Sequence, residues 1–372
     1  MARVLWLSTE MPDQGGQGGQ RRQFHQIRAL SRAGHAITVV VPDSDQRGAS
    51  VTQFAEVRRP RLTIFGRIQR RLVLRLRREL LAAPADAIVV SHIESWWLLP
   101  DVEKVGAPVL LDVHNVLSHW HRESGRHRES ADAHVTEADA LRGATGVMTC
   151  SPTETTRLQA AHPDYASKVF SAPLGVDPTE WPRQLLTRTE PLVAMFGSWS
   201  WEPNRRGLAW FLDAVWPLVH ARVPDARAAV AGTGVDDAAA WPTGADFVGR
   251  VDDLAAFTAR ATVGAVPVVH GVGASVKFAE SLASGASVRA PPDGANAIAD
   301  PPAFVSDKAD EWADWVVERL EARLVEPAPA PARAIALTDY TWDAAVAPII
   351  DWFEMHARSE PTSAPARRSR SG

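Results

Sequence analysis

Lys277 and Glu280 stand three residues apart in the stretch GVGASVKFAESLASG at 271–285, a spacing that places both side chains on one face of a helix. Ser275 is positioned to cap that helix, and Gly273 lets the chain approach a ligand just before it. Free amides and the positive end of the helix dipole favour a diphosphate there. Lys277 supplies a point charge, and Glu280 can accept hydrogen bonds from ribose hydroxyls. The unliganded alternative is a solvated ion pair on a helix surface, which signifies little. A second candidate is the loop at 12–22, where Gly15, Gly16, Gly18 and Gly19 let backbone amides reach an anion at the next helix start. A plain surface loop has the same composition. A dinucleotide fingerprint needs a third glycine where Arg21 stands, which removes the main support for a dehydrogenase. His114 and Ser198 each end an apolar run, at the strand edge where open α/β sheets bind ligands. Asn204, behind Pro203, suits either a helix cap or a contact with the same ligand.

Metal chemistry finds no comparable pattern. His119 and His121 have no third ligand at a recognised spacing. Asp252 and Asp253 more simply open a helix. The expectation is a metal-independent protein with no cofactor.

The elements that must hold these residues alternate between two periods. Apolar runs at 3–8, 36–42, 86–91, 108–114 and 146–151 are separated by helical patterns, beginning with a helix over about 20–33, and this grammar predicts a parallel sheet wound with helices. After the turn-rich stretch 172–182 it restarts: strand 192–197, helix about 204–221, strands 226–231, 246–248 and 263–269, helix about 276–284 and strand 286–290. The fold class is therefore α/β with two Rossmann-like parallel-sheet domains. Their expected bounds are 1–185 and 186–340, followed by a terminal helix at 341–358 and a disordered Pro-, Ser- and Arg-rich tail at 359–372.

Composition narrows the setting. A chain of 372 residues, 45% hydrophobic, has material for two cores. The single cysteine, Cys150, rules out an internal disulfide and fits a reducing cytoplasm. A net charge of −4 provides no global attraction to nucleic acid. No apolar run suits a membrane span, and the amino terminus lacks a secretory pattern. Residues 58–78 concentrate arginines around Leu72 and Leu76 at helical spacing. Such a helix packs its apolar stripe on the core, or rests peripherally on the anionic inner face of a membrane.

Taken in order, FGSWSWEPNRRGLAWF at 196–211, the stretch at 271–285, the glycine loop at 12–22 and LDVHNV at 111–116 resemble glycosyltransferase family 4 (group 1), a retaining family of GT-B fold. The resemblance implies two such domains facing a cleft, with the C-terminal helix crossing back to the first. It also implies sugar transfer from a nucleotide-sugar donor to a hydroxyl acceptor, with retention. The acceptor is unspecified, a small molecule or a lipid-linked one. By resemblance Gly16, Gly18 and Gly19 lie over the donor; Ser198, Asn204, Gly273, Ser275, Lys277 and Glu280 hold its phosphates and ribose; backbone around Gly249 holds the base; and His114 and Lys277 act on the sugar and leaving group. Ser275 departs from the pattern by replacing an arginine found in many members, and Val272 by replacing an acid. These departures leave open a degenerate GT-B protein that binds a nucleotide sugar or a partner transferase. A sugar-nucleotide isomerase would need paired acid–base carboxylates, which are missing at matching places.

Overall fold

The computed structural model describes residues 1–41, 51–59, 85–99, 106–181, 190–235, 241–269, 271, 273–298, 304–322 and 331–357. Strands β1 Arg3–Ser8, β2 Ala36–Val40, β3 Glu56–Arg58, β4 Ala87–Ser91, β5 Val109–Val113, β6 Gly146–Thr149 and β7 Val169–Ser171 form a parallel sheet in the order β3-β2-β1-β4-β5-β6-β7. Strands β8 Leu192–Ser198, β9 Arg227–Thr233, β10 Ala245–Gly249, β11 Val263–Ala265, β12 Ser287–Ala290 and β13 Phe304–Val305 form a second, in the order β10-β9-β8-β11-β12-β13. Both sheets are parallel, and their central strands β1, β4, β5 and β8 are largely apolar runs because helices cover both faces. In each the order reverses at the first strand, so a crevice opens beyond the carboxyl ends of β1 and β4, and of β8 and β11.

The helices are α1 Gly18–Arg32, α2 Leu117–Glu123, α3 His127–Gly143, α4 Pro152–Ala161, α5 Glu202–Trp210, α6 Trp216–Arg222, α7 Leu254–Ala259, α8 Val276–Ala283, α9 Pro292–Ala295, α10 Ala309–Ala322, α11 Pro331–Thr338, α12 Trp342–Ala345 and α13 Ala347–His356. Two expectations need correction, and three strands went unread. The helix predicted over about 204–221 is interrupted by a π-helical turn at Phe211–Val215, next to Pro217, which has no N–H to continue the ladder. The strand predicted at 263–269 ends at Ala265, because Pro267 cannot donate to a neighbouring strand. The short edge strands β3, β7 and β13 carry too few residues for a periodic signal. The arginine-rich stretch falls largely at 60–84 and the tail at 359–372, both outside the described residues.

Alternation sorts the first sheet's side chains. Trp6, Val39, Val89 and Leu110 face α1, whose Phe24, Ile27 and Leu30 are buried with them. Leu5, Leu7, Val90 and Leu111 face the opposite side with Ala140 and Leu141 of α3. The end of the chain completes the first core: Trp342, Ile349, Trp352 and Phe353 of α12 and α13 bury against it. The returning chain is clasped to the linker between sheets, where Val176 N–H donates to Tyr340 O at 2.8 Å and Trp342 N–H to Val176 O at 3.1 Å. Gly175 is required there, since a Cβ would meet the Thr341 carbonyl carbon at 2.5 Å. The His25 ring stacks on Trp342 at 4.9 Å. Burial, aided by the Arg28 charge, pushes its pKa down to about 3, so the ring is neutral.

Candidate functional site

The second-domain wall of the cleft begins at Gly273, whose φ of +76° belongs to glycine. A Cβ there would sit 2.2 Å from Asn115 Oδ1 and 3.0 Å from His114 O, both on the first domain. Ser275 follows at the N-cap of α8 but makes no capping bond, and its hydroxyl is buried without a partner; the predicted cap is corrected to an unengaged hydroxyl. Lys277 Nζ donates to Asn204 Oδ1 at 2.8 Å, and Asn204 Nδ2 donates to Ser198 O at 2.8 Å. Asn204 is thus not the cap of its helix. Trp201 holds that position, and Asn204, in the first turn of α5, aims the lysine. Burial lowers the Lys277 pKa to about 8; Glu280 opposes the shift and Arg21 adds to it. Glu280 pairs through Oε1 with Arg21 of the first domain, while its Oε2 is buried with no partner. Ser198 Oγ lies 3.1 Å from Ser200 Oγ.

On the first-domain wall, α1 starts at Gly18, so Gly18 and Gly19 lie in the first turn, where amides have no intrahelical acceptor. Gly18 faces open space, whereas a Cβ on Gly16 would strike the Gln20 side chain at 2.7 Å. A Cβ on Gly19 would come within 2.8 Å of His92 Cε1 and 3.1 Å of His114 Nδ1. His114 is held by a buried network: its Nε2 is 2.8 Å from Asp112 Oδ2 and 3.1 Å from Ser91 Oγ. Arg22 NH2 donates to Asp112 Oδ1 at 2.9 Å and NH1 to Ala172 O at 2.8 Å. Burial pushes the Asp112 carboxyl up, but Arg22 and His114 outweigh it and hold the group well below the usual carboxylate range. His92, at the end of β4, is the one non-glycine residue with positive φ among those described, at +69°. Burial and the neighbouring His114 push its pKa down to about 4.

Both walls line one cleft of about 1430 Å³. Gly16, Gly18, Gly19, His114, Ser198, Asn204, Gly273, Ser275, Lys277 and Glu280 all line it. Gly249, with φ +71°, does not; its neighbour Arg250 does. Val272 is outside the described residues. Sequence reasoning missed four residues here: Arg21, Arg22, Asp112 and His92. A signal existed for His92, which ends its strand as His114 does, and for the arginines directly behind the glycine loop. Among the described residues His134, Glu137 and His162 also converge, but the Glu137 oxygens already accept from Ser118 N, Ser118 Oγ and His162.

Residues 17–175 match the family described as "Glycosyl transferase 4-like domain", and residues 190–321 match "Glycosyl transferases group 1". No curated protein sequence matches the chain significantly. Among solved structures, sucrose-phosphate synthase from Thermosynechococcus elongatus is 16% identical with a TM-score of 0.75, covering 95% of this chain and 99% of that one. Anabaena HepE, solved with UDP and glucose, is 15% identical with a TM-score of 0.69, covering 95% and 100%. S. aureus TarM, solved as a variant with fondaparinux, alpha-GlcNAc-glycerol and UDP, is 9% identical with a TM-score of 0.74, covering 95% and 100%. Identities this low establish the shared GT-B fold. Among the described residues no helix is long and apolar enough to cross a membrane.

Proposed function

The chain belongs to the group 1 glycosyltransferases, and from that premise we propose that it moves a sugar from a nucleoside-diphosphate donor to a hydroxyl acceptor with retention of configuration. The carrying observation is that Ser275 Oγ and Glu280 Oε2, buried and unpartnered, flank Lys277 in the cleft. A buried donor and a buried acceptor left unmade are costly, and a ligand with phosphate and ribose hydroxyls satisfies both. The diphosphate lies at the start of α8, where Ser275 Oγ donates to it and Lys277 carries its counter-charge. Glu280 accepts from the ribose. The base runs along the loop after β10, and the sugar faces His114 and the start of α1. That HepE and TarM were solved with UDP favours this class of donor.

In the step itself, the bond from the sugar's anomeric carbon to the diphosphate oxygen breaks and its electron pair stays on the diphosphate. The acceptor oxygen bonds that carbon on the same face, and its proton passes to the departing diphosphate oxygen. Lys277 and the helix end stabilise the growing charge, while Asp112 and Arg22 fix the orientation of His114 beside the sugar. The acceptor is a small molecule or a lipid-linked one, with peripheral membrane contact through 58–78 in the latter case; the reading places the protein in the cytoplasm. Incubation with a panel of UDP-, GDP- and other nucleotide sugars, with released nucleotide measured, tests the assignment. Release from one donor is expected, and Lys277→Ala should suppress it. No release from any donor, or release indifferent to Lys277→Ala, sinks it.

A further inference from the structure

Across the cleft, a cation of the first domain pairs with a carboxylate that shares its helix face with a second cation. Arg21, in the first turn of α1, pairs with Glu280, and Lys277 lies one helical turn before Glu280 on the same face. The pair is mostly shielded, with the Arg21 side chain 20% exposed and that of Glu280 4%. The two cations sense each other, since Arg21 contributes to the lowered pKa of Lys277. Both line the cleft, Arg21 held by a carboxylate oxygen and Lys277 by an amide oxygen, and neither is bound by an anion shared between them.

The other arginines lining the cleft are less suited to such a site. Arg22 is committed to Asp112 and to the carbonyls of Ala172 and Pro173. Arg250 is exposed and stands beside Gly15. The start of α8 has a serine at 275 where a further cation would have been local to the second domain.

We propose that Arg21 is a diphosphate-binding residue supplied by the first domain, and that its ion pair with Glu280 is exchanged when the donor binds. The inference rests on the donor reading given above. Ribose hydroxyls take over Glu280, which already has one unpartnered oxygen. The released guanidinium, whose fork geometry suits phosphate oxygens, turns to the diphosphate alongside Lys277. Phosphate recognition then requires both domains, whereas a nucleoside without phosphates is recognised by the second domain alone. The pair also shields Glu280 until a ligand with both parts arrives.

The two contributions separate in a calorimetric titration of the full chain with uridine, UMP and UDP, and with the guanosine series in parallel. Against wild type, Arg21→Gln is expected to weaken UDP or GDP on the order of tenfold, the worth of one charge-assisted phosphate bond. The parent nucleoside should bind as well as before or more tightly, because Glu280 has lost its competitor. Arg21→Lys, which keeps the charge without the fork, should fall between. Matching thermal unfolding of the three proteins shows that the site is intact. An unchanged ratio of diphosphate to nucleoside affinity in Arg21→Gln, whether both tighten or both weaken, overturns the proposal and leaves the donor reading standing. If wild type binds neither series, the same comparison is made with the adenosine, cytidine and thymidine series, and a wild type that binds none of them overturns the donor reading and this inference with it.

Discussion

On the first-domain wall of the cleft, Asp112 engages Arg22, His114 and Ser91, and all four are buried. On the second-domain wall, Ser275 Oγ and Glu280 Oε2 are equally buried but unpartnered, and a half-buried Lys277 holds only one amide oxygen. The first wall therefore resembles a preassembled scaffold, whose polar groups stabilise one another and keep His114 in place. The second resembles a receptor, whose polar groups lack the partner that a ligand supplies. The difference teaches where a substitution should be felt: in stability on the first wall, in ligand chemistry on the second.

The largest effect is expected at Asp112. Asp112→Asn leaves the Arg22 guanidinium buried without its counter-charge, a loss of about 3–5 kcal/mol, read as a lower urea midpoint. If the midpoint hardly moves, the first wall is not the scaffold described. Lys277→Ala should do the reverse, lowering turnover by roughly 10²–10³ with the midpoint nearly unchanged; a comparable fall in stability would erase the contrast between the walls. Gly273→Ala forces a side chain into a left-handed backbone and against Asn115. It should cost about 1–3 kcal/mol, and pairing it with Asn115→Ala should recover only the part due to collision.

A smaller effect concerns pH. Lys277 is an ammonium below about pH 8 and an amine above it. Under the proposed function the charged form binds the diphosphate, so donor kcat/KM should fall as pH rises through about 8. Bound diphosphate favours the ammonium, so the matching fall in kcat should lie at higher pH. Lys277→Arg should flatten the limb, since a guanidinium stays charged there. A limb that persists in Lys277→Arg assigns the titration to another group.

Much of the second wall was legible because its chemistry is local. Gly273, Ser275, Lys277 and Glu280 sit within about two helical turns of chain, and local spacing alone puts them on one edge. Even there the cap expected of Ser275 makes no bond, and of the two roles open to Asn204 the cap falls away. Ser275 and Asn204 have the residue types of helix caps, but Ser275 Oγ bonds to nothing and Asn204 serves Lys277. Cap propensity describes a residue's options, and a neighbour brought from another element decides among them. The first wall was harder to read because Arg22 and Asp112 are 90 residues apart, and nothing in either local stretch names the other.

The sequence by itself determined the two parallel sheets, through apolar runs alternating with helical periods, and the placing of glycines and His114 at strand and helix ends. Those signals are short-range: side-chain alternation, backbone freedom and the first turn of a helix act within a few residues. Only the tertiary structure decided that Arg21 meets Glu280, 259 positions away, and that Asn115 lies against Gly273. Those meetings depend on how the two sheets are held together, through the clasp at Val176 and Thr341 and the return of Trp342 and Trp352 to the first core. Packing of that kind is settled by the shapes of many distant side chains at once, which no local pattern encodes.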